Sequence, residues 1–318
     1  MSISENLVNV KEKNQTLAMN LKNYAKHKNL ALTIQKTLAS FYKRKEFKSE
    51  KLEDRFSHQG LAILNCGNSL SFNKYHNEEK TIKLNHANFC KNRLCPMCAW
   101  RWHLKYNAII KRTFQILGKG HYYHLVLTIP NLKVINKQIL LNLKERASLF
   151  LKKYMKINDY FLGFEMTIGK DKSYHPHFHI VLFSAEKLEL PTKKEMQTIW
   201  AQFTGYGKYN IINIQECSEN EVSLELTKYI LKFETKEDQE ELIKETLYPV
   251  YVALKGLRKF STSGLVKKAE QQAKKELEEE YLEEILALKE FDYDTYFYEW
   301  LGQSYEQTGL MSKQAKKN

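Results

Sequence analysis

Two histidines one residue apart, His177 and His179, lie in the run Tyr174-His175-Pro176-His177-Phe178-His179-Ile180-Val181-Leu182-Phe183. Bulky and β-branched residues from Phe178 to Phe183 predict a strand. A strand turns alternate side chains to one face, so His177 and His179 project together and can share a cation, while Phe178 and Ile180 face a core. Three of the chain's ten His alternate here, which argues against incidental placement. A two-His site needs a further ligand. Glu165 is the only carboxylate between Tyr160 and Ile168, and among apolar neighbours an unpaired charge is costly unless a cation compensates it. One Glu and two His suit Mn²⁺ or Mg²⁺ with open positions for a scissile phosphate, with Zn²⁺ as the alternative. Such an ion would polarise the phosphoryl oxygen as a Lewis acid. His175 is a rival third ligand, although Pro176 is placed to bend the strand there.

A second constellation is Glu225, Tyr229 and Lys232, spaced i, i+4, i+7 in a helix predicted over 218–233. That spacing puts all three on one helix face. A Tyr hydroxyl near a bound cation can attack phosphorus and form a phosphotyrosine. A Lys one turn on can hold the phosphate, and a carboxylate one turn back can act as a general base. Spacing alone favours the plainer account, a half-buried Tyr with an ordinary Glu and Lys, in a chain of 19 Tyr.

Four of the five Cys, Cys66, Cys90, Cys95 and Cys98, fall between residues 60 and 106. The Cys95-Pro96-Met97-Cys98 turn lets two thiolates take neighbouring corners of a tetrahedron, and Cys90 and Cys66 can supply the others. This predicts a closed, structural Zn²⁺ site rather than a redox pair, with His86 as a substitute ligand. Lys91, Arg93, Arg101 and Lys105 lie among Phe89, Trp100, Trp102 and Tyr106, a mixture that suits phosphate contact and base stacking. The alternative is that the Trp residues pack the knuckle against its neighbour. Cys217 stands apart as a plain small residue.

The elements that must position these residues read as β-α-β-β-α-β-α. The strands are Tyr122 to Ile129, Tyr160 to Ile168, the histidine strand, and Tyr209 to Gln215. The helices are Asn136 to Met155, Pro191 to Phe203, and the Tyr229 helix. This predicts an α+β fold, an antiparallel sheet with helices on one face, and a hairpin between the second and third strands. We divide the chain into a basic helical segment (1–58), a zinc-knuckle region (59–106), a catalytic domain (107–235), a helical extension closing the core (236–265) and a charged helical tail (266–318). The first segment ends in the basic run Lys43-Arg44-Lys45, read equally as a DNA-contacting helix or a solvated lead-in. The tail's Glu276, Glu278, Glu279, Glu280, Glu283 and Glu284 read as a solvated face.

A formal charge of +13 favours an anionic polymer, nucleic acid above all. No apolar run approaches the ~20 residues a bilayer requires, and Met1-Ser2-Ile3-Ser4-Glu5 lacks the order of a signal peptide. The expectation is a cytoplasmic protein without membrane partners.

His177-Phe178-His179 with Tyr229-Ile230-Leu231-Lys232 resembles the HUH endonucleases, whose signatures are His-hydrophobic-His and Tyr-x-x-Lys. The stretch from Asn88 to Trp100 and the run Tyr174 to His179 look like one branch, the rolling-circle replication initiators (Rep) of small plasmids from Gram-positive bacteria. Leu125-Val126-Leu127-Thr128-Ile129-Pro130-Asn131 looks like that family's first strand motif. The likeness covers about residues 60 to 265. It implies nicking of the plasmid double-strand origin, single-stranded DNA as a further partner, and Tyr229 held on the 5′-phosphate while a 3′-hydroxyl primes synthesis. It also implies that Glu225 activates water for the terminating cleavage, and that a host helicase takes part. Oligomeric state stays open, a homodimer included. The rival readings are a relaxase or single-Tyr transposase, against which the knuckle argues, and a zinc-containing DNA-binding repressor with Tyr229 structural.

Overall fold

Apolar residues at period two or at helical spacing set the order of elements. The structure is a computed structural model that describes residues 17–41, 50–92, 94–207, 211–218, 231–233 and 239–314. Its elements begin with α1 (Leu17–Phe41), α2 (Glu50–Asn65), β1 (Ser69–Tyr75), β2 (Ile82–Ala87) and α3 (Pro96–Leu117). They continue with β3 (His121–Thr128), α4 (Lys137–Leu149) with a π turn at Phe150–Tyr154, β4 (Tyr160–Ile168), β5 (Tyr174–Ser184), α5 (Lys193–Thr204), β6 (Ile212–Cys217) and β7 (Leu231–Phe233). The last are α6 (Gln239–Leu254), β8 (Phe260–Ser263), α7 (Gly264–Leu288), β9 (Tyr293–Trp300) and β10 (Tyr305–Lys313). This is an α+β fold in two compact units. One takes the chain up to Lys105 and again from Lys275, and the other runs from Tyr106 to Lys274.

In the Tyr106–Lys274 unit the strands form one sheet in the order β6-β3-β5-β4-β7, with β8 also paired to β4. β4 and β5 make the expected hairpin, in register from Tyr160 opposite Leu182 to Ile168 opposite Tyr174. Pro176 does not end β5; it sits within the strand, opposite Met166. One face of the sheet presents Tyr123, Leu125 and Leu127, then Leu162, Phe164 and Met166, then Phe178, Ile180 and Leu182, all in one core. α4 closes that face through Leu140 and Leu143, α5 through Met196 and Trp200, and α6 through Val250, Ala253 and Leu254. Local chemistry fixes these helices. Asn136 caps α4 by accepting from Ile139 N. Thr192 and Glu195 form a capping box at the start of α5, and Gly205, at φ 73°, ends it. The Trp200 indole donates to Thr128 O at 2.7 Å, pinning the end of β3. On the opposite face, Tyr122, Phe161, Val181 and Phe183 pack with Ile110 and Phe114 of α3 and Val266 of α7. Helices therefore reach both faces, where the sequence suggested one.

A correction concerns the helix predicted over 218–233. Residues 219–230 lie outside the described residues, but Leu231–Phe233 form β7, parallel to β4, with Lys232 in register with Thr167. An open strand edge offers N–H and C=O groups that a short apolar segment can satisfy, and this outweighs helical spacing at the segment's end. Lys232 is therefore placed by a sheet register rather than by a turn of helix.

In the other unit β10-β9-β1-β2 form an antiparallel sheet. The tail expected to be helical is helical through Leu288 and then becomes the β9–β10 hairpin, with β9 paired to β1 from Ser69 opposite Glu299 to Tyr75 opposite Tyr293. The aromatics of Tyr293-Asp294-Thr295-Tyr296-Phe297-Tyr298-Glu299-Trp300 suit a pleated strand. α7 is not a wholly solvated helix either: Ala269, Ala273, Leu277 and Tyr281 form a buried stripe at four-residue spacing beneath the glutamates.

Candidate active site

Strand alternation gathers one set of polar residues on the sheet face opposite the main core. These are His124 of β3, Glu165 and Thr167 of β4, and His175, His177 and His179 of β5. Glu165 and His177 are direct cross-strand partners, and Gly163 stands opposite His179. Glu165 is buried, at 5% exposure, with Oε2 3.5 Å from His179 Nε2. The rings of His177 and His179 have centroids 6.2 Å apart, and His175 stacks edge-on to His177 at 4.5 Å. Thr167 Oγ1 lies 2.8 Å from His177 Nε2.

His124, not among the residues singled out from the sequence, brings its Nε2 to 3.3 Å from His179 Nδ1. Its alternation, out of phase with the core-facing Tyr123, Leu125 and Leu127, was readable. The register that brings it diagonally beside His179 was not.

Two imidazoles and a carboxylate are donors of the kind a hard divalent ion takes. Two imidazoles on one ion, with metal–nitrogen bonds of ~2 Å, keep their ring centroids within about 6.5 Å, and the pair here meets that limit. The buried carboxylate supplies the anionic oxygen that Mn²⁺ or Mg²⁺ prefers. The set is more open than the cysteine cluster. Among the described residues, Cys66, Cys90, Cys95 and Cys98 alone bring three or more His, Cys, Asp or Glu ligand atoms all within 4.8 Å of one another.

The cysteine cluster is built from the end of α2, the loop after β2 and the first turn of α3. Pro96 opens α3, where a missing N–H costs nothing. Cys66 Sγ lies 3.6 Å and Cys90 Sγ 3.7 Å from Cys98 Sγ. A tetrahedron with metal–sulfur bonds of ~2.3 Å has edges of about 3.8 Å, so the sulfurs fit a zinc ion. Backbone N–H groups already point at them, Cys90 N to Cys66 Sγ at 3.4 Å and Lys91 N to Cys98 Sγ at 3.2 Å. Lys91 takes φ 58° to do so. Hydrogen bonds from Cys66, Cys95 and Cys98 hold the Cys90 thiol below its ordinary range, while bonds to Cys66, Cys90 and Cys95 push Cys98 up. Cys66 and Cys90 are lowered while Cys95 and Cys98 are raised, so the thiols ionise at one another's expense, and a cation is what lets all four ionise together. His86 lies outside the cluster, exposed on β2, and Cys217 belongs to the other unit, its thiol on Tyr122 O.

The model of the family described as "Replication protein" matches residues 81–306. That span is more than half of the 318 residues and takes in the cysteine knuckle and the histidine strand.

The chain belongs to the replication protein family.

Curated relatives of this replication protein agree. A "Protein rep" of Streptococcus pneumoniae is 28% identical over 247 residues, 69% of this chain and 75% of that protein. One from a Bacillus species is 36% identical over 131 residues, 38% of this chain and 41% of that protein. One from Lactiplantibacillus plantarum is 27% identical over 273 residues, 74% and 84% respectively. These matches bear out the resemblance to the plasmid initiators of Gram-positive bacteria. No solved structure matches the chain.

The remaining expected residues of this replication protein fall into three groups. Tyr229, Glu225, Arg93 and the run Lys43, Arg44 and Lys45 lie outside the described residues. Lys91 is exposed and Lys105 half-buried. Arg101, expected to reach phosphate, is turned inward: 7% exposed, it donates to Tyr24 Oη at 2.7 Å and lies 4.2 Å over the Phe89 ring. Trp100 packs against Tyr24 and His27. Trp100 therefore packs, as the alternative had it for the Trp residues, and Arg101 packs beside it. Among the described residues no helix is long and apolar enough to cross a membrane.

Proposed function

We propose that this chain initiates rolling-circle replication of a plasmid by nicking its double-strand origin through Tyr229. The observation that carries this is the buried Glu165 on one sheet face with His177 and His179 in a member of the replication protein family. These three side chains would hold Mn²⁺ or Mg²⁺, which when bound supplies Lewis-acid polarisation of the scissile phosphate.

The chain's own residues do the rest. Tyr229 loses its phenolic proton and its oxygen attacks phosphorus. The P–O3′ bond breaks, and the departing 3′-oxygen takes up a proton to become the priming hydroxyl, while the 5′-phosphate stays on Tyr229. Two observations support this assignment. Tyr229 precedes Leu231 by only two residues, and Leu231 pairs with Met166, the neighbour of Glu165. Lys232, beside Thr167 in the register, would hold the phosphate. Glu225 takes a proton from the water that makes the terminating cleavage, so that the protein is not left trapped on DNA. The four cysteines hold a structural Zn²⁺. Lys91, Lys105 and the basic segments with Lys43, Arg44, Lys45 and Arg93 contact DNA, a host helicase opens the duplex, and the protein works in the cytoplasm.

The test is incubation with supercoiled origin DNA and Mn²⁺, followed by mapping of the peptide–oligonucleotide crosslink by mass spectrometry. The parent gives a nick and an adduct on Tyr229, and Tyr229→Phe gives neither while still binding the origin. A binding-only repressor gives no nick with either protein, and a surviving adduct in Tyr229→Phe moves the nucleophile elsewhere.

A further inference from the structure

We propose that His124 is a positioning residue for His179, accepting from its Nδ1–H so that Nε2 is bare for a cation shared with Glu165. The inference rests on the reading of His177, His179 and Glu165 as a metal site. His124 itself belongs to none of the motifs that suggested that site.

His124 lies on β3, where its direct partner on β5 is Val181, two residues along from His179. The direct cross-strand neighbours of His179 are Val126 and Gly163, neither with a polar side chain. The diagonal neighbour, His124, brings a ring nitrogen to Nδ1 instead. Its Nε2 is 3.3 Å away, and the two rings lie 10° from parallel with centroids 5.5 Å apart. His124 is 7% exposed, so the contact is sheltered from water. His179 is thus addressed at both nitrogens, with His124 on the Nδ1 edge and Glu165 on the Nε2 edge.

A neutral imidazole carries one proton. A nitrogen that is to bind a cation must be the bare one, so the proton must sit on the other. For Nε2 of His179 to serve, Nδ1–H must donate, and His124 Nε2 is the acceptor in reach. His124 then carries its own proton on Nδ1. Partners of this kind fix the orientation and basicity of ligating histidines without touching the ion. The plain alternative is that His124 fills space beside His179, and ring stacking alone would do that.

Three proteins separate the two accounts: the full-length parent, His124→Phe, which keeps an aromatic ring but offers no acceptor, and His124→Gln, whose amide oxygen can reach the place of Nε2. Should His124→Phe not fold, His124→Leu gives the same contrast. In ¹H–¹⁵N spectra of histidine-labelled protein at neutral pH with saturating Mg²⁺, the His179 Nδ1–H proton should be a hydrogen-bonded, downfield resonance in the parent and in His124→Gln, and should lose that shift in His124→Phe. Titration with Mn²⁺, followed by its electron paramagnetic resonance signal, should show binding weakened about 10- to 100-fold in His124→Phe and largely restored in His124→Gln. Origin DNA binding in the presence of chelator should be equal in all three. An unchanged His179 Nδ1–H resonance and unchanged Mn²⁺ affinity in His124→Phe would overturn the proposal and leave His124 a packing residue. A parent that binds neither Mn²⁺ nor Mg²⁺, with a hydrogen-bonded ring N–H between His124 and His179 still lost in His124→Phe, would sink the metal reading and leave the hold of His124 on His179 standing.

Discussion

Glu165 faces His177 directly across the β4–β5 ladder, and its carboxylate also comes within 3.5 Å of the next histidine on that face, His179. A carboxylate so deeply placed is costly to keep ionised unless positive charge sits beside it. Glu165→Gln removes the charge and keeps the shape. We expect nicking of origin DNA to fall by about 100-fold or more and Mn²⁺ binding to weaken, since a neutral amide is a poorer ligand for a hard cation. The melting temperature without metal should stay level or rise. Parallel nicking assays and calorimetry check this, and a fully active Glu165→Gln would remove the residue from the site.

The shared face of Glu165, His177 and His179 was legible because period-two alternation and a lone carboxylate among apolar residues are local signals. His124 was hidden because register joins residues far apart in the chain. β7 was hidden for a related reason, since nothing in Leu231-Lys232-Phe233 announces that β4 has an edge to fill. The β9–β10 hairpin was masked by the charge of the preceding helix, although the aromatics of β9 were in plain view. Arg101 looked like a phosphate contact because composition cannot tell a guanidinium in solution from one stacked on Phe89.

The cysteine cluster is tied to parts of the chain distant in sequence. Lys28 of α1 is fully buried, and its ammonium donates to Leu64 O at 2.5 Å, Cys66 O at 2.9 Å and Asn68 Oδ1 at 2.5 Å. Burial lowers its pKa, and the sulfurs of Cys66, Cys95 and Cys90 oppose that shift. From β10, Tyr305 Oη donates to Gly67 O, and Gly67 sits at φ 67° where a Cβ would meet Met97 at 3.0 Å. Lys28→Met leaves three acceptors without this donor and should destabilise the unit by about 2–4 kcal/mol. Zinc release to a chelator, read by a chromogenic indicator, should speed up in the same variant. Equal melting temperature and equal release would show that Lys28 is dispensable.

Glu225→Ala separates initiation from termination. If Glu225 serves only the water-dependent cleavage and Tyr229 supplies the nucleophile for nicking, the variant should nick origin DNA at close to the parent rate. It should accumulate protein–DNA adduct and release fewer closed single-stranded circles, by about 100-fold if general-base assistance is lost. Gel analysis of replication products reads both steps, and equal circle release by parent and variant contradicts the role.

His27 gives the knuckle unit a pH dependence of its own. It is 8% exposed, stacked on Trp100 at 4.6 Å, and burial first, then the charges of Lys26 and His103, lower its pKa to about 4. The unfolded chain binds this proton near pH 6.5, the ordinary value for His. Between those values the unfolded state holds more protons than the folded one, so stability falls as pH drops through that window and is flat above it. The loss by pH 4 is on the order of 3 kcal/mol. The thiolates of the cysteine cluster also take up protons in acid, so the parent alone does not isolate His27. His27→Phe keeps the stack on Trp100 and removes the titration. Its melting temperature should decline less steeply than the parent's between pH 6.5 and 4, and the two should run parallel above pH 7. Parallel curves throughout would mean that His27 does not titrate in this window.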